Sequence, residues 1–162
     1  MKFVKIVEDP NPQDAEAARQ LGLAARLLFD GGYGRYSIAS LMVWVMPAIR
    51  HRQILFMFDP GGRPVAFVAW AYVSDDVLDK LRRDELSILD RTEWNAGLNL
   101  WVTEVVARGG TGVQLMLALR RRLAGKFTAV NGLRRTPGGE AKKVISRRLR
   151  GVRKNESDCH VR

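Results

Sequence analysis

Histidine and cysteine are almost missing from this chain, with two of the first and one of the second among 162 residues. Zinc and related sites need clustered Cys, His or carboxylate ligands, and the sequence offers no such cluster. The lone thiol, Cys159, lies in a polar stretch without an intrachain partner, which excludes a disulfide framework within these residues. Long apolar runs are lacking too. The longest, 40–49 and 64–73, fall short of the ~18 residues expected of a membrane-spanning helix. The opening Met1-Lys2-Phe3-Val4-Lys5 lacks the apolar region and small-residue cleavage site of a signal peptide. A cytoplasmic protein is the expectation. No serine sits in a nucleophile-elbow pattern, and no repeat or low-complexity tract is visible.

Basic charge is plentiful, and its placement is uneven. The formal net charge is +10, yet residues 1–119 hold 13 basic against 14 acidic side chains. Residues 120–162 hold 14 against 3, so the whole excess lies in the last quarter of the chain. Such a patch attracts an acidic partner and steers its approach, an effect that salt weakens. Nucleic acid, an acidic carrier protein and an anionic membrane surface all qualify on charge alone.

Apolar periodicity predicts one α/β domain over 1–150, followed by a polar basic tail over 151–162. A short extended segment over 3–7 comes first. Asn11-Pro12 reads as an N-cap with proline at the first helical position, starting a helix that Asp30-Gly31-Gly32 ends. Ser37 can cap a second helix, kinked or shortened by Pro47. Two apolar runs, 53–58 and 64–72, flank Asp59-Pro60-Gly61-Gly62-Arg63 as a hairpin. Both runs are apolar on each face, so helices should cover the sheet on both sides. A short helix over 75–83, a strand over 100–107, a helix to about 123 and a strand over 127–131 follow. A basic helix over 140–150, striped by Ala141, Val144, Ile145 and Leu149, closes the domain. The fold class is a mixed sheet flanked by helices on both faces.

Two places can carry chemistry. After the strand over 100–107, Arg108-Gly109-Gly110-Thr111-Gly112 opens a helix, and such a turn lets backbone N–H groups approach a phosphate while the helix N-terminus favours negative charge. The plainer reading is a tight turn. Within the strand, period-two alternation puts Leu100, Val102, Glu104 and Val106 on one face. A carboxylate among apolar neighbours loses hydration, which disfavours its charged form and suits a general base; the plainer reading is a salt-bridged glutamate. His51, beside Arg50 and Arg52, and His160 read as solvated. Trp44, Trp70, Trp94 and Trp101 read as core or wall residues.

Three ordered blocks carry a resemblance. Glu93-Trp94-Asn95-Ala96-Gly97-Leu98-Asn99-Leu100-Trp101-Val102-Thr103-Glu104 resembles a block of the RTX toxin-activating lysine acyltransferases, an acid-Trp-x-small-Gly followed by a Trp-x-x-acid. Met46-Pro47-Ala48-Ile49 and Arg63-Pro64-Val65-Ala66-Phe67-Val68-Ala69-Trp70-Ala71 are similar to two more. The resemblance implies a fold related to the GCN5-type acetyltransferases, and transfer of a fatty acyl group from acyl carrier protein, or acyl-CoA, to a lysine of a protein target. It implies Glu104 in place of the family's catalytic aspartate. Counting back from Pro47, it sets Tyr33 (or Gly34 under another alignment) where the family has a histidine. Tyr33 or Tyr36 can donate a proton or orient a substrate there. It gives 108–112 the donor's phosphate, and it makes acyl carrier protein a partner for residues 120–162. No resident cofactor is implied. The competing reading keeps the scaffold without the reaction, as an accessory or virion-associated protein holding nucleic acid or another acidic partner through those same residues.

Overall fold

The computed structural model describes residues 12–32, 37–84, 87–123, 126–127, 129–135 and 141–148. The first helix, α1 (Pro12–Asp30), turns Ala17, Leu21, Ala24, Leu27 and Leu28 inward at helical spacing. Ser37 caps α2 (Ile38–Trp44), its hydroxyl accepting the Ser40 N–H at 3.1 Å. The expected kink at Pro47 is a full break. Helix α2 ends at Val45 and α3 (Met46–Arg50) restarts with the proline in its first turn, where a missing N–H costs nothing.

The hairpin forms as β1 (Ile54–Phe58) and β2 (Pro64–Val73). Asp59 closes its loop by accepting the Arg63 N–H at 2.8 Å. Ser74 then caps α4 (Asp75–Arg83). Strand β3 (Asn99–Ala107) leads to α5 (Gly112–Arg122), and β4 (Ala129–Arg135) pairs with β5 (Ala141–Arg148). Strand order is β1-β2-β3-β4-β5, antiparallel except for the parallel pair β3–β4.

The basic helix expected over 140–150 is instead strand β5. Val144 and Ile145 fit either period over so short a stretch, and their β-branched side chains favour a pleated surface. Register with β4, Gly132 opposite Ile145 and Leu133 opposite Val144, supplies a non-local partner that local spacing does not reveal. The segment expected over 3–7 and Asn11 lie outside the described residues.

Helices cover both faces, as the two-sided apolar strands require. Beneath α1, α3 and α4 lie Phe67, Ala69, Ala71, Val73, Trp94, Trp101 and Val106. Beneath α5 lie Ala66, Val68, Trp70, Leu100 and Val102, packed on Leu115, Leu119 and Leu123. The three fully or nearly buried tryptophans, Trp70, Trp94 and Trp101, are core residues, and Trp44 packs at the edge of the first cluster.

The turn before β3 is fastened to the end of β2 by backbone alone. The Tyr72 N–H reaches the Trp94 carbonyl at 3.1 Å, and the Tyr72 carbonyl accepts from Ala96 at 2.8 Å and Gly97 at 3.2 Å. Any Cβ at Gly97 would overlap the Val73 carbonyl and Ser74 Cα. Glu93 anchors the same turn, accepting the Asp90 N–H at 2.8 Å and Lys80 Nζ at 3.1 Å. Burial pushes its carboxyl upward, but the Asp90 N–H and Lys80 together outweigh that and hold it below the ordinary glutamate value.

Three substitutions, two in this joint and one in α1, have definite expected outcomes. Gly97→Ala should lower stability by about 1–3 kcal/mol through overpacking. Gly22→Ala, inside α1 with open space around it, should raise stability by about 0.5–1 kcal/mol; urea unfolding midpoints test both, and an unaffected Gly97→Ala would refute the close approach. For Glu93, a depressed folded value means stabilisation present above the unfolded value near 4.5 and lost as pH falls through the folded one. Glu93→Gln should therefore cost about 1 kcal/mol at neutral pH, and unfolding curves of the two proteins should converge in acid. A gap that stays constant with pH would contradict this.

Candidate functional site

The central strand holds one residue too many. Ala69 pairs with Glu104, but the next residue of β2, Trp70, pairs with Val102, so Thr103 is the extra residue of a β-bulge. Residues directly opposite one another in an antiparallel pair share a face. Leu100 and Val102 accordingly face α5, whereas Glu104 and Val106 face α1 and α3. The expected common face of Leu100, Val102, Glu104 and Val106 is thus corrected: period-two alternation fails where a bulge shifts the parity.

The shift delivers Glu104 to the same side as Trp101, opposite the small Ala69. Only 7% of the glutamate is exposed. Gln53 and Asn131 are the other polar residues buried to this degree among the described residues. Gln53 Nε2 donates to Asn95 at 3.2 Å, and Asn131 accepts from Arg82 at 3.0 Å while donating to the Leu100 carbonyl at 3.2 Å. Thr103, at the bulge itself, has a buried hydroxyl with no hydrogen-bond partner.

Beyond the bulge the two parallel strands separate. Strand β4 pairs with β3 only at Leu100–Val102, then continues along β5. Gly132 allows the close approach at that joint, since a Cβ there would lie 3.1 Å from the Val102 carbonyl. From Thr103 to Ala107, one edge of β3 has no strand beside it among the described residues.

The glycine loop leaves the end of β3. Gly109 and Gly110 take φ values of +57° and +79°, which L side chains rarely adopt. Thr111 sits at the cap position of α5, but its hydroxyl donates to the Arg108 carbonyl at 2.7 Å and caps no helix N–H. Gly112 begins the helix, and its first turn contains no acidic residue. Arg108 is engaged: its guanidinium donates to Asp30 Oδ2 at 2.8 Å, across 78 positions of sequence. That pair ties the loop to the end of α1, and Asp30 had signalled only the end of a helix. Nothing local marks its partner.

Tyr33, Gly34 and Tyr36 lie outside the described residues, as does His160. His51 is exposed at the end of α3. Among the described residues no three His, Cys, Asp or Glu side chains gather as a metal site, and no helix is long and apolar enough to cross a membrane.

The chain is similar in sequence to known proteins. The lysine-acyltransferase RtxC of Vibrio cholerae serotype O1 is 33% identical over 89 residues, covering 55% of this chain and 58% of that protein. The RTX-II toxin-activating lysine-acyltransferase ApxIIC of Actinobacillus pleuropneumoniae is 32% identical over 87 residues, covering 54% and 53%. The chain therefore spans a little over half the length of these relatives. A family model described as HlyC, RTX toxin acyltransferase family, matches residues 13–148, from the first turn of α1 to the end of β5. That span includes the bulged strand, its glutamate and the glycine loop, and on it the chain belongs to the RTX toxin acyltransferase family.

Proposed function

We propose that the protein transfers a fatty acyl group from acyl carrier protein, or from acyl-CoA, to a lysine of a protein target, with Glu104 as general base. The observation that carries this reading is the bulge at Thr103, which turns a buried carboxylate to the face of the central strand covered by α1 and α3. Glu104 takes a proton from the lysine ammonium, and the freed amine attacks the thioester carbonyl. An amide bond forms as the attacking nitrogen gives up a second proton, the C–S bond breaks, and the leaving thiolate takes up that second proton as a thiol. Tyr33 serves as the proton donor or orienting hydroxyl at the family's histidine position.

The donor's anionic end goes to Arg108, Gly109, Gly110, Thr111 and Gly112. Supporting this are the uncapped first turn of α5 and the absence of acid from it. Beyond Val102 no strand lies beside this edge of β3 among the described residues, and an extended arm can run there from the loop toward Glu104. Arg108 must first be released by Asp30. The protein thus holds its donor-binding cation on a weak, half-exposed ion pair that a phosphate can displace.

Incubation with acyl carrier protein or acyl-CoA and a lysine-bearing target tests the reading. Glu104→Gln should reduce transfer by ~10²–10⁴, the usual loss on removing one general base. No transfer above background, or transfer that ignores Glu104→Gln, would overturn it. Asp30→Asn should tighten acyl-CoA binding by up to about fivefold by freeing Arg108, and Arg108→Gln should weaken it; titration calorimetry reads both. An Asp30→Asn variant that binds acyl-CoA more weakly would remove Arg108 from the donor site.

A further inference from the structure

Helix α5 is apolar on two sides, and the sheet uses only one of them. Leu115 and Leu119 are buried against β2 and β3. On the opposite face Val113 is 72% exposed and Leu117 is 46% exposed. One further step of four reaches Arg121, so Val113, Leu117 and Arg121 form a single stripe. Arg120 and Arg122 flank it in the last turn, and both are exposed. No acidic residue occurs between Glu104 and Glu140, a stretch holding seven lysines and arginines. The stripe starts at the glycine loop, where the donor's phosphate is assigned above.

We propose that this face of α5 is the docking surface for the acyl carrier protein, taking an acidic, partly apolar helix of the carrier across Val113, Leu117 and Arg121. The identity of the partner rests on the acyl-transfer reading above, while the surface is defined by its own side chains. Two exposed aliphatic side chains beside an acid-free arginine turn complement a partner that offers carboxylates around an apolar patch. A carrier seated there holds its cargo beside the N-terminus of α5.

Other occupants fit less well. Nucleic acid gains nothing from Val113 and Leu117, and α5 has no aromatic side chain on which a base can stack. A membrane surface calls for a broad apolar face with aromatic anchors, and this stripe offers two aliphatic side chains. A second copy would set arginine against arginine across a symmetric contact.

The test is titration of the full chain with phosphopantetheinylated acyl carrier protein at low salt, alongside transfer assays with acyl carrier protein and with a long-chain acyl-CoA as donors. Leu117→Glu and Arg121→Glu should each weaken carrier binding by about tenfold or more. Both positions are exposed, and an unchanged circular dichroism spectrum confirms the fold. Arg91→Glu, an equal charge change at another exposed site, should stay within about twofold of wild type. Transfer from acyl-CoA, which needs no docked protein, should be unaffected by either stripe variant.

Several results would overturn the assignment: a wild-type chain that does not bind the carrier, stripe variants that bind it as tightly as wild type, or an equal loss in Arg91→Glu. Duplex DNA or anionic vesicles that bind where the carrier does not, and lose affinity in the same variants, would reassign the surface and sink the proposal. Failure of the two readings is separable. Carrier binding that depends on Leu117 and Arg121, with no transfer from either donor, removes the reaction and leaves the surface. Full-rate transfer from the carrier in both variants removes the surface and leaves the reaction.

Discussion

Between Ala69 and Trp70, one step along β2 is matched by two along β3, and every β3 side chain past that point faces the opposite helical layer from the one strict alternation would give it. Were the pairing regular, Glu104 would point with Leu100 and Val102 into the packed, largely aliphatic and aromatic interface with α5. The shift moves the acid to the side of α1 and α3, beside Trp101 and opposite an alanine. The pairing of β3 with β4 ends at Val102, next to the bulge. The irregularity that turns the carboxylate thus coincides with the point where these two strands part.

Around that strand the structure is conventional, and its parts serve to hold β3 in place. Strand β2 is buried along nearly its whole length. The turn at Trp94–Gly97 is bonded to its end through backbone groups. Asn131, reaching both Arg82 and the Leu100 carbonyl, fastens β4 at the last paired residues before the strands part. The turn and Asn131 both fasten the N-terminal half of β3, while its C-terminal half is held by β2 and runs into the glycine loop.

Much of this was legible in the residues, because the signals are local. Ser37 caps where its hydroxyl suggests, α4 occupies the stretch assigned to a short helix, and the glycines of 59–63 turn the hairpin. What was illegible depends on distant partners. A bulge shows only in the register between two strands, so the facing of Glu104 could not be read from alternation. Arg108 looked like an open cation, and its partner Asp30 lies in another helix. Val144 and Ile145 carried too short a pattern to separate strand from helix until β4 stood beside them. For α5 the helix itself was evident, but its surplus apolar stripe emerges only once the sheet has taken Leu115 and Leu119.

The residues by which kinship is most visible, Trp94, Gly97 and Trp101, owe their identities to joinery: two rings fill the interior, and a missing Cβ lets a turn close on a carbonyl. Their tolerance to substitution is set by volume and backbone clearance, whatever cargo or acceptor the molecule handles. The outward stripe of α5 meets neither constraint, since Val113 and Leu117 face away from the sheet.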